Sequence, residues 1–94
     1  MAVGSTSVGT TAVQLTVTDT PLNYGVWVKA AGANTQKVAV GFSNAVTVAA
    51  TAATDGYELG AGQELFVPKT LADNLTDVWV IAGGASQRVT WLGY

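Results

Sequence analysis

What most constrains this chain is a rhythm. Short runs of alternating apolar and polar residues are cut by turn-forming residues at roughly ten-residue spacing. Val13, Leu15 and Val17 alternate with Gln14, Thr16 and Thr18, a period of two that gives a strand one buried face. Thr20-Pro21-Leu22-Asn23 ends that strand, because proline has no N–H for a ladder and favours turns. Tyr24, Val26, Val28 and Ala30 then share one side, with Trp27 and Lys29 on the other. Val38, Val40 and Phe42 form the next apolar side, with Lys37, Ala39 and Gly41 facing outward, and Ser43-Asn44 makes a corner before Val46 and Val48. Gly60-Ala61-Gly62 turns into Leu65 and Val67, and Pro68 stops that strand.

Two further turns are predicted as hairpin reversals: Gly32-Ala33-Asn34-Thr35, and Gly83-Gly84 between Val78–Ile81 and Arg88–Leu92. Thr70 to Asp73 suit one helical turn capped by threonine. Ala49 to Thr54 stay open: alanine favours helix, whereas the threonines and Asp55-Gly56 favour an extended path. About seven or eight short strands at this spacing predict an all-β fold, a small antiparallel β-sandwich, jelly-roll-like or β-barrel, with strand order undetermined. Residues 12–94 form a single β-domain in this reading. Residues 1–11 are small, uncharged and poor in large apolar groups, and are expected to be an extended N-terminal arm ordered against a neighbour.

At 94 residues the domain is near the lower limit for an independent core. Disulfides, metals or oligomerisation commonly supplement such a core, and the chain has no cysteine. Only 11% of its residues are charged, against about 25% in an average soluble domain. Two strands are apolar on both faces: Val78 and Val80 oppose Trp79 and Ile81, and Val26 and Val28 oppose Trp27. A sheet with one wet face should not show this pattern, so a second subunit is the expected cover. Trp27, Trp79 and Ile81 are the oligomer-interface candidates, while Trp91 shares a face with Val89 and is assigned to the core. Val3 and Val8 are the contact candidates of the arm.

The absence of histidine and cysteine removes the usual general base, the usual thiol nucleophile and the commonest zinc ligands. Ser43 and Ser86 sit beside turn residues and are read as turn serines. Glu58 with Glu64, or Asp73 with Asp77, are the available carboxylate pairs for acid–base chemistry or calcium. Their turn-flanking positions and the lack of a D-x-[DN]-x-[DN]-G run favour capping and solvation. Gly60-Ala61-Gly62 does not extend to G-x-G-x-x-G, because Leu65 stands at the third glycine. No enzyme, cofactor or metal site is expected.

A net charge of −2 with Lys29, Lys37, Lys69 and Arg88 dispersed leaves no basic patch for nucleic acid. No apolar run reaches the roughly eighteen residues of a spanning helix, so no membrane partner is expected. MAVGSTSVGTTAVQ lacks the charged and apolar regions of a signal peptide, which predicts synthesis in a cytoplasm. Asn74-Leu75-Thr76 then matches the glycosylation sequon by accident. Trp27, Trp79 or Tyr57 as a stacking platform for sugars is the alternative of another class, a carbohydrate-binding module.

Between Tyr24 and Tyr94 the succession V-W-V-K-A (Val26 to Ala30), V-A-V-G (Val38 to Gly41), V-T-V (Val46 to Val48), G-Y-E-L-G-A-G-Q-E-L (Gly56 to Leu65) and L-T-D-V-W-V-I-A (Leu75 to Ala82) resembles small virion proteins of tailed bacteriophages, the capsid decoration or cement proteins. The resemblance implies a β-rich homotrimer, or alternatively a dimer, on the outer capsid surface, where each oligomer bridges neighbouring copies of the major capsid protein. A tail- or fibre-associated virion domain is the related alternative. The resemblance brings no catalytic residue to any position of this chain, and residues 1–23 lie outside its motifs.

Overall fold

A computed structural model, describing residues 2–48 and 53–94, resolves eight strands: β1 (Ala2–Val8), β2 (Val13–Gln14), β3 (Gly25–Ala30), β4 (Val38–Gly41), β5 (Tyr57–Leu59), β6 (Glu64–Pro68), β7 (Trp79–Ala82) and β8 (Gln87–Gly93). They form two four-stranded antiparallel sheets, ordered β1-β8-β3-β6 and β2-β7-β4-β5. The pairings β1 with β8, β2 with β7, β3 with β6 and β4 with β5 are those of one long hairpin folded at its middle. Rolling that hairpin adds β3 beside β8 and β4 beside β7, which is the jelly-roll topology. The sheets stay open at four edges, so the fold is a sandwich rather than a closed barrel.

Successive strands therefore change sheet at nearly every connection. The two expected hairpins are instead arches: β3 and β4 lie in different sheets, as do β7 and β8. Turn residues specify a reversal but not which sheet the returning strand joins. Burial decides that, because Val26, Val28 and Ala30 need cover that Val38, Val40, Val80 and Ala82 supply across the core. Gly84 is glycine for close approach, since a Cβ there would lie 2.8 Å from Gln36 Cγ of the other arch. Gln87, buried at the start of β8, ties the arches together. Its Oε1 accepts from Thr35 N (2.8 Å) and Gln36 N (3.0 Å), and its Nε2 donates to Ala85 O (2.8 Å) and Thr35 Oγ1 (3.3 Å).

The expected N-terminal arm is held by its own chain. Residues 2–8 pair with β8 in unbroken register, from Ala2 opposite Gly93 to Val8 opposite Gln87. Small residues belong there because the bulk comes from the neighbouring strand: a Cβ on Gly4 would lie 2.4 Å from Trp91 Cζ2. Trp91 thus packs against the core from beside β1.

Three apolar residues fall outside the alternation because their strands end early. Val17 lies beyond β2 and is 85% exposed, Phe42 lies beyond β4, and Tyr24 precedes β3. Ala39 and Gly41 face outward as expected, opposite Ile81 and Trp79, yet are buried. Val46 folds back over Gly41, where a Cβ would meet its Cγ2 at 2.5 Å.

The helical turn falls at Leu75–Asp77, later than expected, and Asn74 rather than Thr70 caps it. Asn74 Oδ1 accepts from Thr76 N (3.1 Å), Thr76 Oγ1 (3.0 Å) and Thr20 N (3.0 Å), while Nδ2 donates to Asp19 Oδ1. The sequon asparagine is a structural cap. Residues 49–52 of the ambiguous Ala/Thr stretch lie outside the described residues. Beyond them Ala53 and Thr54 form a turn, whose Thr54 carbonyl accepts from Thr47 N (3.1 Å) next to an isolated bridge between Thr47 and Asp55.

Candidate functional site

Strands of period two that are directly opposite in register point their side chains to the same face. On the outer face of the first sheet this places Val3, Leu92, Trp27 and Phe66 in one row across β1, β8, β3 and β6. Val3 is 75% and Trp27 39% exposed. The next row holds Ser5, Thr90, Lys29 and Glu64, and beyond it Arg88 donates from Nη1 to Ser5 Oγ (3.1 Å) and from Nη2 to Ser7 Oγ (3.3 Å). An apolar band thus borders a polar one, with Lys29 directly across from Glu64.

The apolar band continues past the strand ends as packed rings. Trp27 and Phe66 have centroids 5.0 Å apart, Phe66 and Tyr94 6.4 Å, and Tyr94 and Tyr24 5.8 Å. Gly25 makes room for this cluster. Its φ is 153°, and a Cβ there would meet Val67 O at 2.4 Å and Phe66 Cζ at 2.7 Å. The backbone clamps the far end, because the N–H groups of Asn23, Tyr24 and Gly25 converge on the Tyr94 carbonyl at 3.1, 2.8 and 3.1 Å. The surface is therefore pre-organised, which lowers the entropy lost on docking. The rings tilt by 52°, 44° and 39° to one another. They are inclined to one another instead of lying flat in the common plane that a sugar platform needs.

The interface candidates separate. Trp27 belongs to this face, whereas Trp79 and Ile81 lie half-buried on the outer face of the opposite sheet, beside Gly41 and Ala39. Tyr57 belongs to that second sheet as well, so the three rings named for sugar binding do not form one platform. Of the two contact candidates of the arm, Val3 is on the exposed face. Val8 is 1% exposed and part of the core, so this fold withdraws it from any surface contact. Phe66 escaped the sequence reading, although counting by twos from Leu65 and Val67 assigns it to the outer side next to Trp27.

The carboxylate pairs do not gather into a reactive centre. Glu58 and Glu64 line one shallow depression beside Gly62, but Glu58 approaches Lys37 Nζ at 4.0 Å and Glu64 stands opposite Lys29. Asp73 and Asp77 are exposed around a polar groove shared with Lys69 and Phe42. Among the described residues no three carboxylates converge on one point. Ser43 Oγ accepts from Ala45 N (3.2 Å) as a turn serine, and Ser86 occupies a bend with φ 64°. No protein-family model matches the chain, and no curated protein or solved structure matches it significantly.

Proposed function

We propose that this chain is a virion protein of a tailed bacteriophage that decorates the capsid and stabilises it by bridging neighbouring major capsid proteins. The observation that supports a docking role is the pre-organised face of Val3, Leu92, Trp27, Phe66 and Tyr94, apolar and aromatic on a small domain whose sequence has no histidine or cysteine. Interfaces are enriched in such aromatics, and their energy concentrates in a few buried anchors. The phage partner rests on the motifs between Val26 and Ala82. Docking would bury the aromatic band against the capsid and leave the Lys29, Glu64 and Arg88 band at the rim.

Co-sedimentation of the purified chain with phage heads lacking it tests this reading. Saturable binding is expected for the wild type, and at least about tenfold weaker binding for Trp27→Ala, the size of a hot-spot loss. A chain that stays in the supernatant, or a Trp27→Ala variant that binds like wild type, refutes it. Density for the chain confined to the tail in electron micrographs of virions would favour the tail-associated alternative.

A further inference from the structure

The four sheet edges are unequal. β2 is two residues long and β5 three, while β6 carries Glu64 at its start and Pro68 at its end. Short length, charge and proline are the usual devices that keep an edge from pairing with another chain. β1 has none of them. Its seven residues, Ala-Val-Gly-Ser-Thr-Ser-Val, include no charge and no proline, and its ladder with β8 has no bulge. Every second residue of such an edge turns its N–H and C=O outward, without a strand among the described residues to receive them.

A second observation falls at the same place. β1 belongs to the end of its sheet that overlies β2, and β2 is too short to cover it. The inward residues Ala2, Gly4 and Thr6 consequently stay half-exposed, as do Val13 and Trp91 next to them. The corresponding inward residues of β3, namely Val26, Val28 and Ala30, are fully buried. The sandwich is open along one flank, and that flank is apolar except for Thr6.

We infer that β1 is the seam of a homodimer, in which β1 of one copy pairs antiparallel with β1 of a second about a two-fold axis normal to the sheet. The second copy is the occupant because, among the described edges, its β1 alone combines full length with freedom from charge and proline. A head-to-tail ring would have to join β1 to β6, where Pro68 lacks a donor and Glu64 resists burial. An antiparallel pair about a two-fold gives each strand what it receives, and an uncharged strand brings no like-charge clash. The product is a continuous eight-stranded sheet. Its axis puts both aromatic faces on the same side, so a dimer presents two docking surfaces to adjacent sites of a lattice and gains avidity. This inference stands independently of the capsid reading, since self-association is measured without heads.

Sedimentation equilibrium up to about 100 µM, a range suited to a small interface, should give twice the chain mass of 9.6 kDa. The double variant Ser5→Glu/Ser7→Glu adds carboxylates on the exposed side of β1, next to Arg88, which already bonds both serines. The fold is therefore retained while like charge loads the seam, and dimerisation should weaken at least tenfold. Trp27→Ser, on the face and away from the seam, should leave the dimer intact. In the wild type, alternate β1 amides should lose protection from hydrogen exchange on dilution into the monomer range. A monomeric wild type, an undiminished dimer in the double variant, dissociation caused by Trp27→Ser, or β1 exchange independent of concentration would each overturn the proposal.

Discussion

Replacing Gln87 with methionine isolates the hydrogen bonds that join the two arches. Methionine nearly preserves the length and volume of the side chain, so the cavity term is small. What disappears is a set of four bonds: two backbone donors from Thr35 and Gln36, and two acceptors at Ala85 and Thr35. At about 1 kcal/mol each the full loss is about 4 kcal/mol. Thr35 and Gln36 are at the surface, where water can satisfy their amides. The reciprocal pair between Asn34 and Arg88, with both bonds at 2.9 Å, also still anchors the arch. These two effects reduce the expected destabilisation to about 2–3 kcal/mol. Urea unfolding followed by tryptophan fluorescence should show this as a midpoint lowered by about 2 M, at an unchanged slope near 1–1.5 kcal/mol/M. Gln63→Met serves as the control. Its Oε1 accepts a single bond, from Gly60 N at 2.6 Å on an exposed turn, and its loss should stay below about 1 kcal/mol. If Gln87→Met costs no more than the control, the amide does not hold the arches and the account of this end of the sandwich fails.

Asn74→Ala removes a cap that also anchors the Thr20 segment, and should cost about 2 kcal/mol, the upper end for capping residues. Differential scanning calorimetry should register it as a fall in Tm of about 10 °C. Gly25→Ala forces a Cβ into Val67 O and the Phe66 ring at an unfavourable φ, so a loss of about 3 kcal/mol or more is expected. Gly9→Ala, with nothing within 4 Å of its Cβ, should be near neutral in the same denaturation assay. Ser86→Gly relieves the positive φ of a non-glycine residue and should raise stability by about 0.5–1 kcal/mol; a loss in thermal melts would contradict that assignment.

Much of this was legible from local pattern. The all-β class followed from period two and punctuation, and the faces of β3 and β7 were read correctly, with Val26, Val28, Val78 and Val80 inward and Trp27, Trp79 and Ile81 outward. Trp91 packs on the core as expected. Errors gathered where a residue's role depends on a distant partner. Nothing near Gly4 announces that the indole of Trp91 will occupy its missing side chain, and so β1 passed for an arm. The anchoring role of Asn74 was missed because its bonds to Thr20 and Asp19 span more than fifty positions. Of the aromatic face, Trp27 was identified from alternation alone. Its companions Val3, Leu92 and Phe66 come from three other strands and needed the register to align them.

By itself the sequence determined that this chain forms short antiparallel strands, which residues most of them bury, and that histidine and cysteine are missing. These are properties of neighbours two to four positions apart, where periodicity and turn chemistry act. The tertiary structure decided which strands pair, and so converted two apparent hairpins into arches, an arm into an edge strand, and one exposed tryptophan into the centre of an aromatic face. Turn residues reverse the chain equally well within a sheet or between sheets. The choice belongs to the burial of side chains far apart in sequence, and only the assembled core contains that information.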